Sequence, residues 1–363
     1  MSIKLLVITP TNKSVSNHMA EAEMWIGLKK QGIEIDLITH GNSYFANKFK
    51  KEGIHVIDHY PSKKVSLESI KLIKDVLKKG KYDILHLTKG HGLSNGVLAA
   101  KGIPVKVITY IGSKSLYWHD PTTWISQLSP RVDKIHCVSH NIEQHVKKQI
   151  LFRKKKTFTI HKGYNPDWFS AIKPIDLTEY NIPKDAFVIC CLARHTKVKG
   201  IPYLVEAMKF LPKNKNIHLL ILGTYTNGKD MADIIAKHPY KNNIHALGRL
   251  KNALDFLAAS HIYVQPSLSE GLGRAILEAM SLEKPTIITN AGGCTELIEN
   301  EKSGIIVPVK NAKAISEAIL RLYKDKELRT KLGKNAKNRV ITDFHTNTTV
   351  EKMYHFYKQL AEK

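Results

Sequence analysis

Acidic residues are scarce in this sequence. Across 363 residues, 32 Asp and Glu stand against 56 Lys and Arg, a formal net charge of +24. Cysteine is rarer: Cys137, Cys190, Cys191 and Cys294 lie in apolar runs or turns, and no CxxC spacing occurs. That excludes a disulfide framework or a thiolate zinc site and reads as reduced, structural thiols. No run approaches 18 consecutive apolar residues, so no segment reads as a bilayer-spanning helix. The opening residues Met1 to Ile8 lack the length and cleavage site of a signal peptide. They read as a first strand, and a cytoplasmic location is expected. There is also no DxD pair in a loop suited to a metal ion, and no metal is expected.

Hydrophobic residues make up 43% of the chain, normal for a globular protein, and the length suits two domains. The positive charge is uneven. Residues 1–165 carry 27 Lys and Arg against 12 Asp and Glu, with clusters at Lys48-Phe49-Lys50-Lys51, Lys63-Lys64, Lys78-Lys79-Gly80-Lys81 and Arg153-Lys154-Lys155-Lys156. Two readings stay open: solvated lysine faces, or attraction to an anionic membrane or a polyanionic acceptor. Neither zinc spacing nor an aromatic-interleaved binding motif accompanies the charge, so nucleic acid is not an expected partner.

Apolar strand-like runs alternate with helical patterns along most of the chain, which predicts an α/β protein of parallel sheets covered by helices. Strands are expected at residues 3–8, 33–38, 54–57, 83–87, 105–110, 134–138 and 157–160. Helices are expected at 16–31, after Ser14 or Ser16 as a cap, at 66–79 and near 140–150. In the second of these, Leu67, Ile70, Ile73 and Leu77 share one face beside Lys71, Lys74, Lys78 and Lys79, either as a buried face or as part of a membrane-docking surface. The Gly- and Pro-containing segment His161 to Phe169 interrupts the pattern. Strands resume at Phe187 to Leu192 and recur near 217–222, 244–247, 261–264, 285–289 and 304–307, and residues 345–363 read as a terminal helix.

Residues 263–308 carry the densest chemistry. Glu270 is embedded in Gly271-Leu272-Gly273 after a strand, and Glu278 follows eight positions later on a predicted helix. A helix opening after glycines presents unpaired backbone N–H groups and a positive dipole end, which suits phosphate. Acids in the loop and two turns along the helix suit hydroxyls, so the ligand expected is part phosphate and part sugar. A second loop, Ala193 to Gly200, places Arg194 and Lys199 five apart, where both can converge on one phosphate pair.

The segments PS-x-x-EG-x-G-x-x-x-LEAM, KP-x-I-x-T, GG-x-x-EL and GI-x-VP resemble, in order, the donor half of family-four (group 1) GT-B glycosyltransferases. The resemblance implies two Rossmann-like domains facing a central cleft, with a C-terminal helix crossing back to the first. The boundaries expected are an acceptor-binding domain at 1–165, a nucleotide-sugar donor domain at 166–344 and the helix at 345–363. It implies a retaining, metal-independent transfer with no cofactor, from a nucleotide-diphosphate sugar to a glycan or glycolipid hydroxyl in cell-surface glycan synthesis. Arg194, Lys199 and Gly200 match the family's R-x-x-x-x-KG, implying contact with the diphosphate. Glu270 is implied at the donor sugar or its anomeric carbon and Glu278 at the ribose hydroxyls. Gly271, Leu272, Gly273, Gly292 and Gly293 are implied to line the donor site, with Glu296 either lining it or bracing a helix.

The first half departs from the family pattern. The loop Thr9 to Ser16 has no glycine where members often carry a pair, and Ile111 stands where many carry a histidine. His119 and His18 are the candidate substitutes for sugar or acceptor contact. Val138-Ser139 matches the family's VS before a helix and is expected as a cap. Two further readings remain: a sugar-nucleotide epimerase of the same fold, and a basic binding protein that has lost catalysis.

Overall fold

The computed structural model describes residues 2–12, 15–150, 156–212 and 215–362. Ser14 and the basic run Arg153 to Lys155 lie outside them. The chain divides into two compact units, Met1–Tyr164 with Phe344–Lys363, and Asn165–Asp343.

The first unit runs β1 (Lys4–Ile8), α1 (Val15–Lys30), β2 (Glu34–Thr39), α2 (Tyr44–Lys51), β3 (His55–Asp58), α3 (Leu67–Gly80) and β4 (Ile84–Leu87). It continues with α4 (His91–Ala99), β5 (Lys106–Ile111), α5 (Pro121–Trp124), β6 (Lys134–Cys137), α6 (His140–Gln149) and β7 (Thr157–Thr159). Its strands form one parallel sheet in the order β3-β2-β1-β4-β5-β6-β7. The central strands β1 and β4 are buried apolar runs, as a sheet covered on both faces requires. Helix α1 begins at Val15, so Ser16 lies inside it and is not its cap. Ser139 does cap α6, its Oγ accepting from the Ile142 N–H at 3.3 Å.

In α3 the apolar stripe is divided. Ser69, Ile73 and Leu77 are buried, whereas Leu67 is 84% exposed and Ile70 half-buried. The four apolar residues expected on one face therefore do not act together. Leu67 is the first helical residue, one position after the cap Ser66, and overhangs the turn, while the packed face starts at Ser69, whose Oγ lies 2.8 Å from His59 Nε2. The Lys48–Lys51 cluster is the last turn of α2, which buries Phe45, Ala46 and Phe49.

The second unit runs β8 (Phe187–Leu192), α7 (Ile201–Ala207), β9 (Ile217–Leu222), α8 (Lys229–Ala236), β10 (Ile244–Gly248) and α9 (Ala253–Ala259). Then follow β11 (Ile262–Gln265), α10 (Arg274–Ser281), β12 (Thr286–Thr289), β13 (Ile305–Val307), α11 (Ala312–Lys324) and α12 (Lys326–Asp343). Its sheet is also parallel, ordered β10-β9-β8-β11-β12-β13. The strand order reverses direction beside β8 and β11, the place where ligands enter open parallel sheets.

The terminal helix α13 (Thr346–Ala361) belongs to the first unit, so the chain returns there after the second. Val350, Met353, Tyr357 and Leu360 join the core with Trp25 and Leu28 of α1. Tyr357 OH lies 2.6 Å from Nδ1 of buried His86. Burial holds the His86 pKa well below its ordinary value, so the ring is neutral.

Candidate active site

Strand β8 ends at Leu192 and delivers a loop that closes in a single 3-10 turn, Lys197–Lys199. Gly200 follows with φ +63°, and a Cβ there would stand 2.0 Å from the Pro266 carbonyl oxygen. Only glycine lets this loop press so closely on the one after β11. The backbone joins them again where the Leu268 N–H donates to the Val198 carbonyl at 2.7 Å. Two loops from strands adjacent in the sheet are thereby locked together.

Across that contact Lys199 Nζ meets Glu270 Oε2 at 2.6 Å. The Glu270 side chain is 13% exposed and that of Lys199 25%, so the pair is sheltered yet reachable from solvent. A chain of polar groups stands behind the carboxylate. Tyr263 OH donates to Gln265 Oε1, Gln265 Nε2 to Ser267 Oγ at 2.8 Å, and Ser267 Oγ to Glu270 Oε2 at 3.1 Å. The main chain of Glu270 is fixed as well: its N–H donates to the Ala291 carbonyl and its carbonyl accepts from the Gly293 N–H, each at 3.0 Å. Glu270 therefore bridges the loop after β11 to the Gly292-Gly293 loop after β12.

Gly273 adopts φ +105° and opens α10 directly after Gly271 and Leu272. Gly273 has no side chain with which to cap this helix, and α10 opens straight from the loop that carries Glu270. One turn and more along α10, Glu278 is buried, with Arg274 Nε 3.6 Å from its Oε1. Burial pushes the Glu278 carboxyl up to about 7, and Arg274 only partly offsets this. Arg194 is exposed at the start of the β8 loop and makes no ion pair among the described residues. The carbonyl of Glu296 accepts from Arg339 Nη2 at 3.2 Å, a bracing contact to α12.

The structure thus brings Lys199, Glu270, Gly271, Leu272, Gly273, Gly292 and Gly293 into one neighbourhood, with Glu278 on the adjoining helix. The polar chain Tyr263–Gln265–Ser267 escaped the sequence reading because alternate residues of a buried strand read only as strand. His18 and His119 lie in the first unit. His18 is buried edge-on to Phe45, its Nδ1 3.5 Å from Lys89 Nζ. His119 is exposed and stacked on Tyr117. Ile111 ends β5 as a buried core residue.

The first unit holds a second polar cluster that no sequence motif signals. Glu21 on α1 is buried and receives Lys162 Nζ at 3.1 Å, Lys89 Nζ at 3.7 Å and the Thr9 hydroxyl at 2.5 Å. Burial alone would raise its pKa, but the two ammonium groups and the hydroxyl hold it far below the usual carboxylate range. Lys162 also lies over the Tyr110 ring, 4.5 Å from its centroid.

The profile of "Glycosyl transferases group 1" matches residues 173–339, and that of "Glycosyltransferase Family 4" matches residues 22–168. An Escherichia coli UDP-Gal:alpha-D-GlcNAc-diphosphoundecaprenol alpha-1,3-galactosyltransferase is 28% identical over 80% of this chain and 81% of its own length. A Bacillus anthracis N-acetyl-alpha-D-glucosaminyl L-malate synthase is 24% identical over 91% of this chain and 90% of its own. Among solved structures, a glycosyltransferase from Rickettsia africae superposes with a TM-score of 0.82 at 24% identity, covering 100% of this chain and 99% of that one. Anabaena HepE in complex with UDP and glucose superposes with a TM-score of 0.80 at 16% identity, covering 98% of this chain and 100% of that one. Two parallel Rossmann-like sheets, a glycine-loop glutamate paired to a lysine, and matches spanning both units have one meaning: the chain is a glycosyltransferase of glycan synthesis and belongs to the group 1 family of GT-B fold.

Proposed function

We propose that this enzyme moves a sugar from a UDP-sugar to a hydroxyl of a lipid-linked glycan, with retention at the anomeric carbon and without a metal ion, in cell-surface glycan synthesis. The observation that carries the reading is the Lys199–Glu270 pair beside the glycine-led start of α10. The second unit is assigned the donor and the first the acceptor. UDP is favoured because the E. coli relative is named for UDP-Gal and HepE is described with UDP. The lipid-linked acceptor rests on the diphosphoundecaprenol in the names of the E. coli relative and of a Campylobacter jejuni one. Retention is read from the family resemblance. With such an acceptor the enzyme works at the inner face of the membrane.

In the proposed reaction the bond between the anomeric carbon and the diphosphate oxygen breaks. The acceptor oxygen bonds to the same face of that carbon, and its proton passes to the departing phosphate. Lys199 and Arg194 supply positive charge to the leaving diphosphate, assisted by the Gly271–Gly273 N–H groups and the α10 terminus. Glu270, held by Ser267 and Lys199, faces the sugar hydroxyls or the charge building at the anomeric carbon. Glu278 takes the ribose hydroxyls, and Gly292 and Gly293 line the same side. Because the phosphate accepts the proton, no protein base is required where Ile111 stands. His119, being exposed, is the better placed of the two histidines to touch an acceptor; His18 is enclosed by its own unit.

Labelled UDP-galactose, UDP-glucose and UDP-N-acetylglucosamine, each offered with a short-chain lipid-diphosphate sugar, test the proposal. An α-linked product from one donor, formed in the presence of a chelator, is expected. A β-linked product, an isomerised donor without transfer, or strict dependence on a divalent ion would contradict it.

A further inference from the structure

Strand β11 is buried throughout, yet one of its faces is polar. Ile262 and Val264 join the hydrophobic core of the second unit, while Tyr263 and Gln265 alternate with them on the opposite face. Ser267, also buried, follows the strand at its carboxyl end, and the Thr289 hydroxyl fixes it by donating to its carbonyl. A buried glutamine is costly unless its amide is paired. Here both ends of it are: Gln265 Oε1 faces Tyr263 OH, and Nε2 lies 2.8 Å from Ser267 Oγ.

Donor and acceptor chemistry gives this chain one direction. Glu270 is ion-paired to Lys199 at 2.6 Å and has no proton to give, so the Ser267 hydroxyl, 3.1 Å from Oε2, donates to it. The serine oxygen then accepts from Gln265 Nε2, which leaves the glutamine oxygen to accept from Tyr263. Burial raises the Tyr263 pKa well above its ordinary value, so the phenol keeps the proton it donates. The Leu192 carbonyl, at 3.5 Å, competes weakly for that proton. In the opposite sense Ser267 would give its proton to Gln265 and turn a lone pair on the Glu270 carboxylate.

We propose that Gln265 is a positioning residue for sugar transfer: its amide turns the Ser267 hydroxyl onto Glu270 and so holds that carboxylate in its working place. Glutamine suits the task because one end of its amide accepts while the other donates. A carboxylate at the same place would accept from both hydroxyls and draw the Ser267 proton away from Glu270. A protonated carboxyl, by contrast, accepts at one oxygen and donates from the other, as glutamine does. The proposal rests on the role given above to Glu270 at the donor sugar, and extends it to a buried residue behind the site.

The test is the pH profile of kcat for Gln265→Glu relative to wild type, with whichever nucleotide sugar the wild type consumes. At the acid end, where the introduced carboxyl is protonated, the variant is expected within about threefold of wild type. As pH rises through the pKa of that carboxyl, which burial raises, the variant is expected to fall about tenfold or more below wild type. In a Ser267→Ala background there is no hydroxyl to turn, and most of that fall is expected to vanish. Gln265→Leu leaves the hydroxyl free to choose its partner, with an expected loss of about threefold at every pH that disappears in the Ser267→Ala background. This second comparison decides the matter if Gln265→Glu does not fold. A Gln265→Glu profile parallel to wild type, an equal fall without the Ser267 hydroxyl, or additive losses for Gln265→Leu and Ser267→Ala would overturn the proposal. Glu270→Ala separates the two roles. If it transfers as fast as wild type, the role of Glu270 fails and that of Gln265 with it; if it is slow while the contrary results hold, the role of Gln265 alone is wrong.

Discussion

Lys199 and Glu270 are 71 residues apart in the chain and 2.6 Å apart in the fold, and Ser267 holds Glu270 from behind. Their importance is legible in the sequence because glycine-flanked acids and an R-x-x-x-x-KG loop each follow a strand. The groups that aim them are not. Gln265 and Ser267 alternate within a buried segment, and that spacing says nothing of a hydrogen-bonded chain ending on a carboxylate. Ser267→Ala removes the Oγ that holds Glu270 Oε2 and is expected to lower kcat for transfer about tenfold, the worth of one hydrogen bond to a charged group. An unchanged kcat would detach Ser267 from the site. Glu278 makes a separate test. Ribose hydroxyls keep their charge during transfer, so Glu278→Gln is expected to raise the donor KM more than it lowers kcat. Its carboxyl is raised from an ordinary 4.5 to about 7, so the folded state holds the proton more tightly than the unfolded state. Wild-type stability is therefore undiminished below pH 4.5, declines as pH rises toward 7, and above that bears a full penalty on the order of 3 kcal/mol. Thermal melts are expected to show Glu278→Gln matching wild type at pH 4.5 and exceeding it at pH 8. Equal melting points at both would mean that the carboxyl is not strained by burial.

Strands are the elements the sequence discloses best. A parallel strand covered on both faces reads as a continuous apolar run, and Leu5 to Ile8, Leu219 to Leu222 and Ile262 to Val264 are such runs. Helices α2 and α4 escape for opposite reasons. In α2 the lysines mask the short burial face of Phe45 and Phe49, and in α4 two glycines lie against Ile8 and Leu87 while Ser94 and Asn95 bond the loop before α3, which leaves no apolar period. Helix α3 is recognisable, but its burial face is set by where the chain enters, at Ser66. Ser66 Oγ accepts from the Ser69 N–H at 3.2 Å, and Ser66→Ala is expected to cost about 1 kcal/mol in urea unfolding. No measurable cost would mean that the packed face alone fixes that helix.

At the scale of the molecule, the resemblance of the second half carries over to the first, although the first lacks the glycine loop and the histidine of its relatives. It carries instead a polar cluster of Thr9, Glu21, Lys89 and Lys162, scattered over the sequence and joined by the fold. No linear motif signals a cluster of that kind, because Thr9, Lys89 and Lys162 follow three separate strands and Glu21 lies on α1. The return of the chain in α13 makes the first unit discontinuous. Deleting residues 346–363 removes Val350, Met353, Tyr357 and Leu360 from the core, each worth roughly 1.5–3 kcal/mol. That sum approaches the whole stability of an ordinary domain, so the truncated chain is expected to lose the cooperative melting of its first unit. A melt as sharp as that of the full chain would mean that α13 is dispensable. The central claim is that the second unit holds a nucleotide-diphosphate sugar beside the Lys199–Glu270 pair. The initial rate of sugar transfer from the UDP-sugar, measured for wild type and for Lys199→Ala at saturating acceptor, tests it directly. Loss of one group that stabilises leaving-group charge lowers kcat/KM about a hundredfold or more, and that is the result expected; a variant within threefold of wild type would contradict it.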